Sequence, residues 1–142
     1  MKELEGARTA ELSRRTNETD VYVSLNLDGN GTYEINIGIP FFDHMLEQLG
    51  RHSGFDLVVR AQGDIQVDSH HTVEDVGIVL GQALYQCTRD KRGIARYGST
   101  MLPMDDSLCI AAVDLCGRAN LVYNCSLLQG SVGGFDTENI KE

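Results

Sequence analysis

The sequence predicts an α+β fold, a two-layer sandwich with helices covering one face of a sheet, built from one unit repeated twice. Three observations carry that prediction. Alternation with a period of two gives way to helical spacing, and the same order restarts after Gly93. A Phe-Asp pair with a Glu shortly after also stands at the head of a helix in both halves, in PFFDHMLEQL and in GGFDTENIKE. On this reading residues 1–14 form a polar lead-in, 15–92 a first unit, and 93–142 a second unit that stops before its later strand and final helix.

Each element has its own signal. Val21, Val23, Leu25 and Leu27 alternate with Tyr22, Ser24 and Asn26, Asp28-Gly-Asn-Gly31 supplies turn residues, and Tyr33, Ile35, Ile37 and Ile39 resume the alternation. Together they predict a hairpin. Pro40 is tolerated in the first turn of a helix, and Phe42, Met45, Leu46 and Leu49 recur at helical spacing until Gly50. Phe55 to Ala61 reads as a strand, and Thr72 to about Arg89 as a helix with Val73, Val76, Leu80 and Leu84 inward. Beyond Gly93, Tyr97 to Met104, Leu108 to Leu115 and Asn120 to Cys125 read as three strands, with turns at Pro103-Met-Asp-Asp106 and Cys116-Gly-Arg118. GGFDTENIKE then opens a further helix.

Length and charge limit the function. A chain of 142 residues is one domain by length and can bury a core without metal or disulfide staples. Its net charge of −9 argues against nucleic acid, which rewards basic patches. A phosphorylated ligand would need a few well-placed basic side chains. The four cysteines, at 87, 109, 116 and 125, show no C-x-x-C pairing and have apolar neighbours, so reduced, mostly buried packing thiols in a cytoplasmic protein are expected. The N-terminal stretch lacks the apolar core of a signal peptide, and no apolar run approaches membrane-spanning length.

The chemistry concentrates in Asp68-Ser-His-His-Thr-Val-Glu-Asp75, which holds two of only four histidines. On a helix His70 lies one turn from Glu74, and His71 lies near both Glu74 and Asp75. Imidazole and carboxylate at that spacing can hold a divalent metal. They also fit exposed polar residues of a first turn capped by Asp68 or Ser69, and the octapeptide alone leaves both readings open. The order does not fit the H-E-x-x-H motif of metalloproteases. His44 shares a polar helix face with Glu47, Gln48 and Arg51 and is a candidate ligand or a solvated side chain, whereas His52 is better read as a cation at a helix C-terminus. Asp90-Lys-Arg-Gly-Ile-Ala-Arg-Tyr97 is the only dense basic segment. Its Arg92 and Arg96 carry forked donors suited to phosphate, or else pair with nearby acids in solvent.

Seven segments in order, RTNET, FFDHMLEQLGRHSGFDL, GDIQVDSHHTVEDVGIVLGQAL, DKRGIARYG, PMDDSL, VDLCGRANLV and VGGFDTE, resemble the imidazoleglycerol-phosphate dehydratase family of histidine biosynthesis. The resemblance runs from about Arg15 to the last residue and implies a hydro-lyase that converts D-erythro-imidazole-glycerol phosphate to imidazole-acetol phosphate. By resemblance His44, His70, His71 and Glu74 are ligands of two manganese ions. The metal would stabilise the substrate's ring as an imidazolate that expels the hydroxyl through a diazafulvene-like intermediate. Glu18, in RTNET, matches the family's active-site acid and is the candidate proton carrier. Arg96 and Arg118 match the phosphate clamp, Gln48 a position near the substrate, and Asp105 an active-site acid that a Pro-Met-Asp turn would equally accommodate.

The resemblance further implies that each unit is similar to the second domain of ribosomal protein S5, with a left-handed βαβ crossover. It also implies homo-oligomers in which trimers build an octahedral particle with metals between subunits. Family members continue past GGFDTE to a second H-H-x-x-E motif that this chain does not reach. Three expectations follow: a shortened record of a full dehydratase, an inactive metal-binding remnant, or a module that joins oligomers of a complete relative.

Overall fold

In the computed structural model, which describes residues 7–125 and 130–142, the first strand lies where a polar lead-in was expected. Strand β1 spans Thr9–Arg15, and residues 1–6 of that lead-in lie outside the described residues. Only Ala10 and Leu12 of β1 turn toward the core, so an edge strand with a polar outer row reads as a tail. Strand β2, Thr19–Asn26, pairs antiparallel with β1 through the Thr16–Glu18 loop and buries Val21, Val23 and Leu25, as its alternation predicts.

The expected hairpin between β2 and the next strand does not form. Strand β3, Tyr33–Asn36, pairs in parallel with β4, Asp56–Gly63, which itself lies antiparallel to β2, so the sheet order is β1-β2-β4-β3. The reason lies in the DGNG segment. Asp56 Oδ1 accepts from Asn30 N at 2.9 Å, Thr32 N at 3.1 Å and Thr32 Oγ1 at 2.6 Å, which folds the segment over the start of β4. A Cβ on Gly29 would overlap Asp56. Instead of a tight turn, this loop bridges the width of an intervening strand.

Helix α1, Pro40–Ser53, connects β3 to β4, with Pro40 in its first turn and Gly54 (φ 76°) ending it in the left-handed region. Gly50, read as the terminator, is a buried mid-helix residue whose missing side chain leaves room for Tyr33. The inward stripe is also shifted. Leu46 and Gly50 are buried and Phe42 packs against the core, while Met45 and Leu49 are exposed. Asp43 reaches back to accept from Ile37 N at 2.9 Å, which fixes the helix entry.

Helix α2, His70–Thr88, packs across β1, β2 and β4. Its buried stripe is Val73, Val76, Val79, Ala83 and Cys87, with Leu80 and Leu84 partly buried at its flank. Val21, Val23, Leu57 and Val59 of the sheet meet it, each burial contributing roughly 1.5–3 kcal/mol. A Cβ on Gly63 would overlap the buried Thr72 hydroxyl, so glycine is what allows the helix to start this close to the sheet.

The second half is a ribbon. Strands β5, Tyr97–Met104, and β6, Ser107–Asp114, form the expected hairpin, turning at Asp105 (φ 51°), and both faces are exposed along their whole length. Asn120 to Cys125, expected as a strand, has no strand pairing. The GGFDTENIKE segment forms a short strand pair, β7 (Ser131–Val132) with β8 (Phe135–Asp136), and a 3-10 turn at Thr137–Lys141 where an α-helix was expected. Phe135 is buried between Phe41 and Phe42, with ring centroids 5.8 and 5.7 Å away. All four cysteines are free, but only Cys87 is buried; Cys109 and Cys125 are exposed because their segments have no covering layer.

One buried ionic knot ties the helix to the hairpin. The Asp75 carboxylate accepts from Arg14 Nε at 2.8 Å and from the Thr19 hydroxyl, joining α2 to β1 and β2. Burial would raise the Asp75 pKa, but the hydrogen bonds from Thr19 and Arg14 outweigh it and hold the carboxyl below its usual range. Asp75→Ala leaves the Thr19 hydroxyl buried without its acceptor and is expected to cost about 2–3 kcal/mol in urea unfolding; a loss below about 0.5 kcal/mol would count against the knot. Asp56 gives a pH-dependent counterpart. Its hydrogen bonds, Thr32 first, lower its pKa to about 2. Its contribution should be whole above the unfolded-state value near ~3.9 and fade as pH falls toward the folded value. Asp56→Asn should therefore unfold at lower urea than the parent at neutral pH, with the two curves converging near pH 2; parallel curves across that range would contradict it.

Candidate active site

The HHTVED motif opens α2. Ser69 is the N-cap residue but makes no side-chain cap hydrogen bond; its hydroxyl accepts from Asn139 Nδ2 at 2.8 Å, and Asp68 Oδ1, one residue earlier, accepts from His70 N at 2.9 Å. The motif's first turn is thus pinned on both sides, by the preceding loop and by the C-terminal 3-10 turn. Beside it a groove of about 340 Å³ is lined by Asp68, His70, Asp136, Glu138, Asn139 and Glu142.

The two imidazoles face different carboxylates. His70 Nε2 stands 3.9 Å from Glu74 Oε2, the one-turn pairing the spacing predicts. His71 instead turns its Nδ1 to Asp64, at 3.1 Å from Oδ2 and 3.3 Å from Oδ1. The hydrogen bond to Asp64 raises the His71 pKa, burial opposes this, and the smaller effects of the charges of Asp64, Asp68 and Glu18 add to the rise. Of these charges that of Glu18 has the smallest effect. Its loop is a small hydroxyl-braced turn: Thr16 Oγ1 accepts from Glu18 N at 3.2 Å and from Thr19 N at 3.0 Å. The Asp75 knot at Thr19 locks that loop against the helix that carries the histidines.

The other expected site residues lie apart. His44 stands on α1 with Nδ1 3.9 Å from Glu47 Oε2, and Gln48 Oε1 is 3.2 Å from His52 Nε2 in the same helix. Arg96 is held at the open end of the β5–β6 ribbon by Asp114, at 2.7 and 3.2 Å, with its guanidinium 4.9 Å from the Tyr97 ring centroid. That pairing raises the Arg96 pKa and lowers that of Asp114. Arg118 is exposed just beyond, past Gly117 (φ 84°), while Asp105 is at the ribbon's closed end. Eight residues of strand separate Asp105 from Arg96, about 25 Å at ~3.3 Å per residue.

Neutral imidazole and carboxylate are donors suited to a borderline divalent cation, and the chemistry of His70, His71 and Glu74 fits manganese, iron or zinc alike. Their number does not complete a coordination sphere. Among the described residues no group of three or more His, Cys, Asp or Glu side chains is arranged to hold a metal ion. Reading the sequence missed Asp64, whose only signal was a carboxylate directly after a strand glycine, and Asn139, which no local pattern connects to Ser69.

Among the described residues no helix is long and apolar enough to cross a membrane. The sequence model of the family described as imidazoleglycerol-phosphate dehydratase matches residues 37–142. Relatives of that name are 56% identical in Ruegeria sp. (strain TM1040) and 53% identical in Pelotomaculum thermopropionicum, each over 135 residues that cover 95% of this chain and 69% of the relative. The crystal structure of imidazoleglycerol-phosphate dehydratase from Staphylococcus aureus N315 superimposes with a TM-score of 0.81 at 38% identity, over 94% of this chain and 72% of that one. That of Pyrococcus furiosus IGPD in complex with (S)-C348 gives 0.68 at 30% identity, over 92% and 68%. By sequence and by fold, this chain belongs to the imidazoleglycerol-phosphate dehydratase family.

Proposed function

We propose that the chain acts in the cytoplasm as a hydro-lyase of histidine biosynthesis, removing water from D-erythro-imidazole-glycerol phosphate to give imidazole-acetol phosphate. The observation that carries this reading is the pairing of His70 with Glu74 one turn apart at the head of α2, with His71 beside them, inside a chain that belongs to a dehydratase family. His70, His71 and Glu74, with His44 from α1, would hold manganese as part of two sites. Manganese bound there would stabilise the substrate's ring in its deprotonated form.

The chain's own side chains supply the rest. Glu18, on a braced loop rather than a free tail, takes the carbon-bound proton and returns one to the product. Arg96 keeps donors free beyond those that Asp114 engages, and with Arg118 it grips the phosphate. Gln48 and Asp105 stand by the substrate in this reading. In this reading the chain carries a duplicated unit similar to the second domain of ribosomal protein S5, with a left-handed βαβ crossover; two hairpins whose strands start at the same interval, Thr9 to Thr19 and Tyr97 to Ser107, support the repeat. A homo-oligomer of trimers building an octahedral particle, with metal sites shared between copies, is the assembly that would complete the partial ligand set. The uncovered Met101, Leu102, Leu108 and Ile110 fit a chain that is not solitary.

The test is a dehydratase assay with and without added manganese on a preparation whose intact mass is measured. Metal-dependent turnover is expected, and a preparation of this mass that stays inactive with manganese would instead favour a metal-binding remnant. Glu18→Gln should lower kcat by about 10²–10⁴-fold with little change in KM; a near-parental kcat would remove Glu18 from the proton path. Arg118→Ala should act on KM, raising it at least about tenfold for loss of a charge-assisted contact; an unchanged KM would take Arg118 out of the phosphate clamp.

A further inference from the structure

The carboxylate of Asp64 has no part in the ligand set above, yet it meets His71 with both oxygens within 3.3 Å of Nδ1. Its position is set by the backbone. Asp64 directly follows β4, Gly63 lets α2 start against that strand end, and the Asp64 carbonyl accepts from Val67 N at 2.8 Å in the turn that leads to the helix. Its side chain is only 20% exposed, whereas that of His71 is 46% exposed, so the acid is the more fixed partner.

We propose that Asp64 is the positioning residue for His71: by accepting a hydrogen bond from Nδ1 it holds the ring in one orientation and presents the Nε2 lone pair to a divalent cation. Imidazole offers one donor and one acceptor nitrogen when neutral, and a carboxylate on one nitrogen decides which one is left for a metal. His70 has no comparable arrangement. Its carboxylate neighbour Glu74 stands 3.9 Å away and is itself a candidate ligand, so the two adjacent imidazoles, 5.9 Å apart and 69° inclined, are oriented by different means. Asp64 would therefore fix the direction from which His71 meets a bound cation. This inference rests on the metal reading above.

The experiment combines nitrogen NMR of histidine-labelled, metal-free protein with manganese titration followed by electron paramagnetic resonance. At a pH well above the imidazole titration range, His71, assigned by the loss of its signal in His71→Gln, should carry its proton on Nδ1 in the parent chain. Asp64→Ala should release that preference and weaken manganese binding by about 10–100-fold. Asp64→Asn, which keeps an acceptor oxygen, should restore part of both and guards against a folding defect in the alanine variant. An Nδ1 proton that persists in Asp64→Ala, or manganese bound by Asp64→Ala as tightly as by a parent that binds it, would overturn the role of Asp64 alone. A parent chain that binds no manganese would overturn the metal reading and the inference with it.

Discussion

The close approach of the first turn of α2 to the end of β4 is the constraint on which the rest of the site depends. It exists because Gly63 has no side chain to oppose Thr72, and because Asp75, one turn further on, is tied to Arg14 and Thr19. The Thr72 hydroxyl has no hydrogen-bond partner, so at that point the contact is one of shape alone. Moving the helix outward would therefore break two links at once. The Glu18 loop would lose its anchor at Thr19, and His71 would leave Asp64. A small residue in a strand and a charged residue on a helix, neither of them among the proposed metal ligands, thus decide which groups face one another.

The electrostatics follow from the same placement. A helix N-terminus favours anions, which makes the first turn of α2 an unfavourable place for two imidazolium ions. Carboxylates compensate locally: Asp64 and Asp68 flank the turn, and Glu18 approaches from the hairpin. In a chain with a net charge of −9, the site's acidity is no more than the background, and its selectivity has to come from positions. The basic side chains that would bind a phosphate are placed elsewhere, at the open end of the ribbon, where Asp114 and Tyr97 hold Arg96 extended.

Local periodicity made part of this legible. The two helices, the strand after the first of them and the one-turn pairing of His70 with Glu74 all follow from spacing, because each depends on residues a few positions apart. What spacing could not supply was which strands pair. The DGNG segment has the composition of a tight turn, but Asp56, more than twenty residues on, recruits its amides and makes it a bridge over β4. Strand β1 was hidden for a related reason: an edge strand needs only Ala10 and Leu12 to face inward, too few to stand out among charged neighbours. Gly50 and Gly54 differ only in tertiary context, one filled by Tyr33 and the other left-handed, and a sequence treats them alike. Asp64 meets His71 from the end of β4, outside the helix that carries the motif, so no local pattern joins them.

The geometry of the ribbon bears on how the residues could cooperate. Asp105 and Arg96 lie at opposite ends of the β5–β6 hairpin, separated by about 25 Å of extended chain. A twisted antiparallel ribbon cannot fold back to close that distance while its register from Tyr97 opposite Asp114 to Met104 opposite Ser107 is kept. A phosphorylated imidazole with a three-carbon chain is far shorter than this. If both residues touch one substrate, they must come from different copies of the chain, and the same holds for metal ligands that one chain supplies only in part. In the proposed homo-oligomer the exposed ribbon, with Met101, Leu102, Leu108 and Ile110 uncovered along it, is the element placed to reach a second copy.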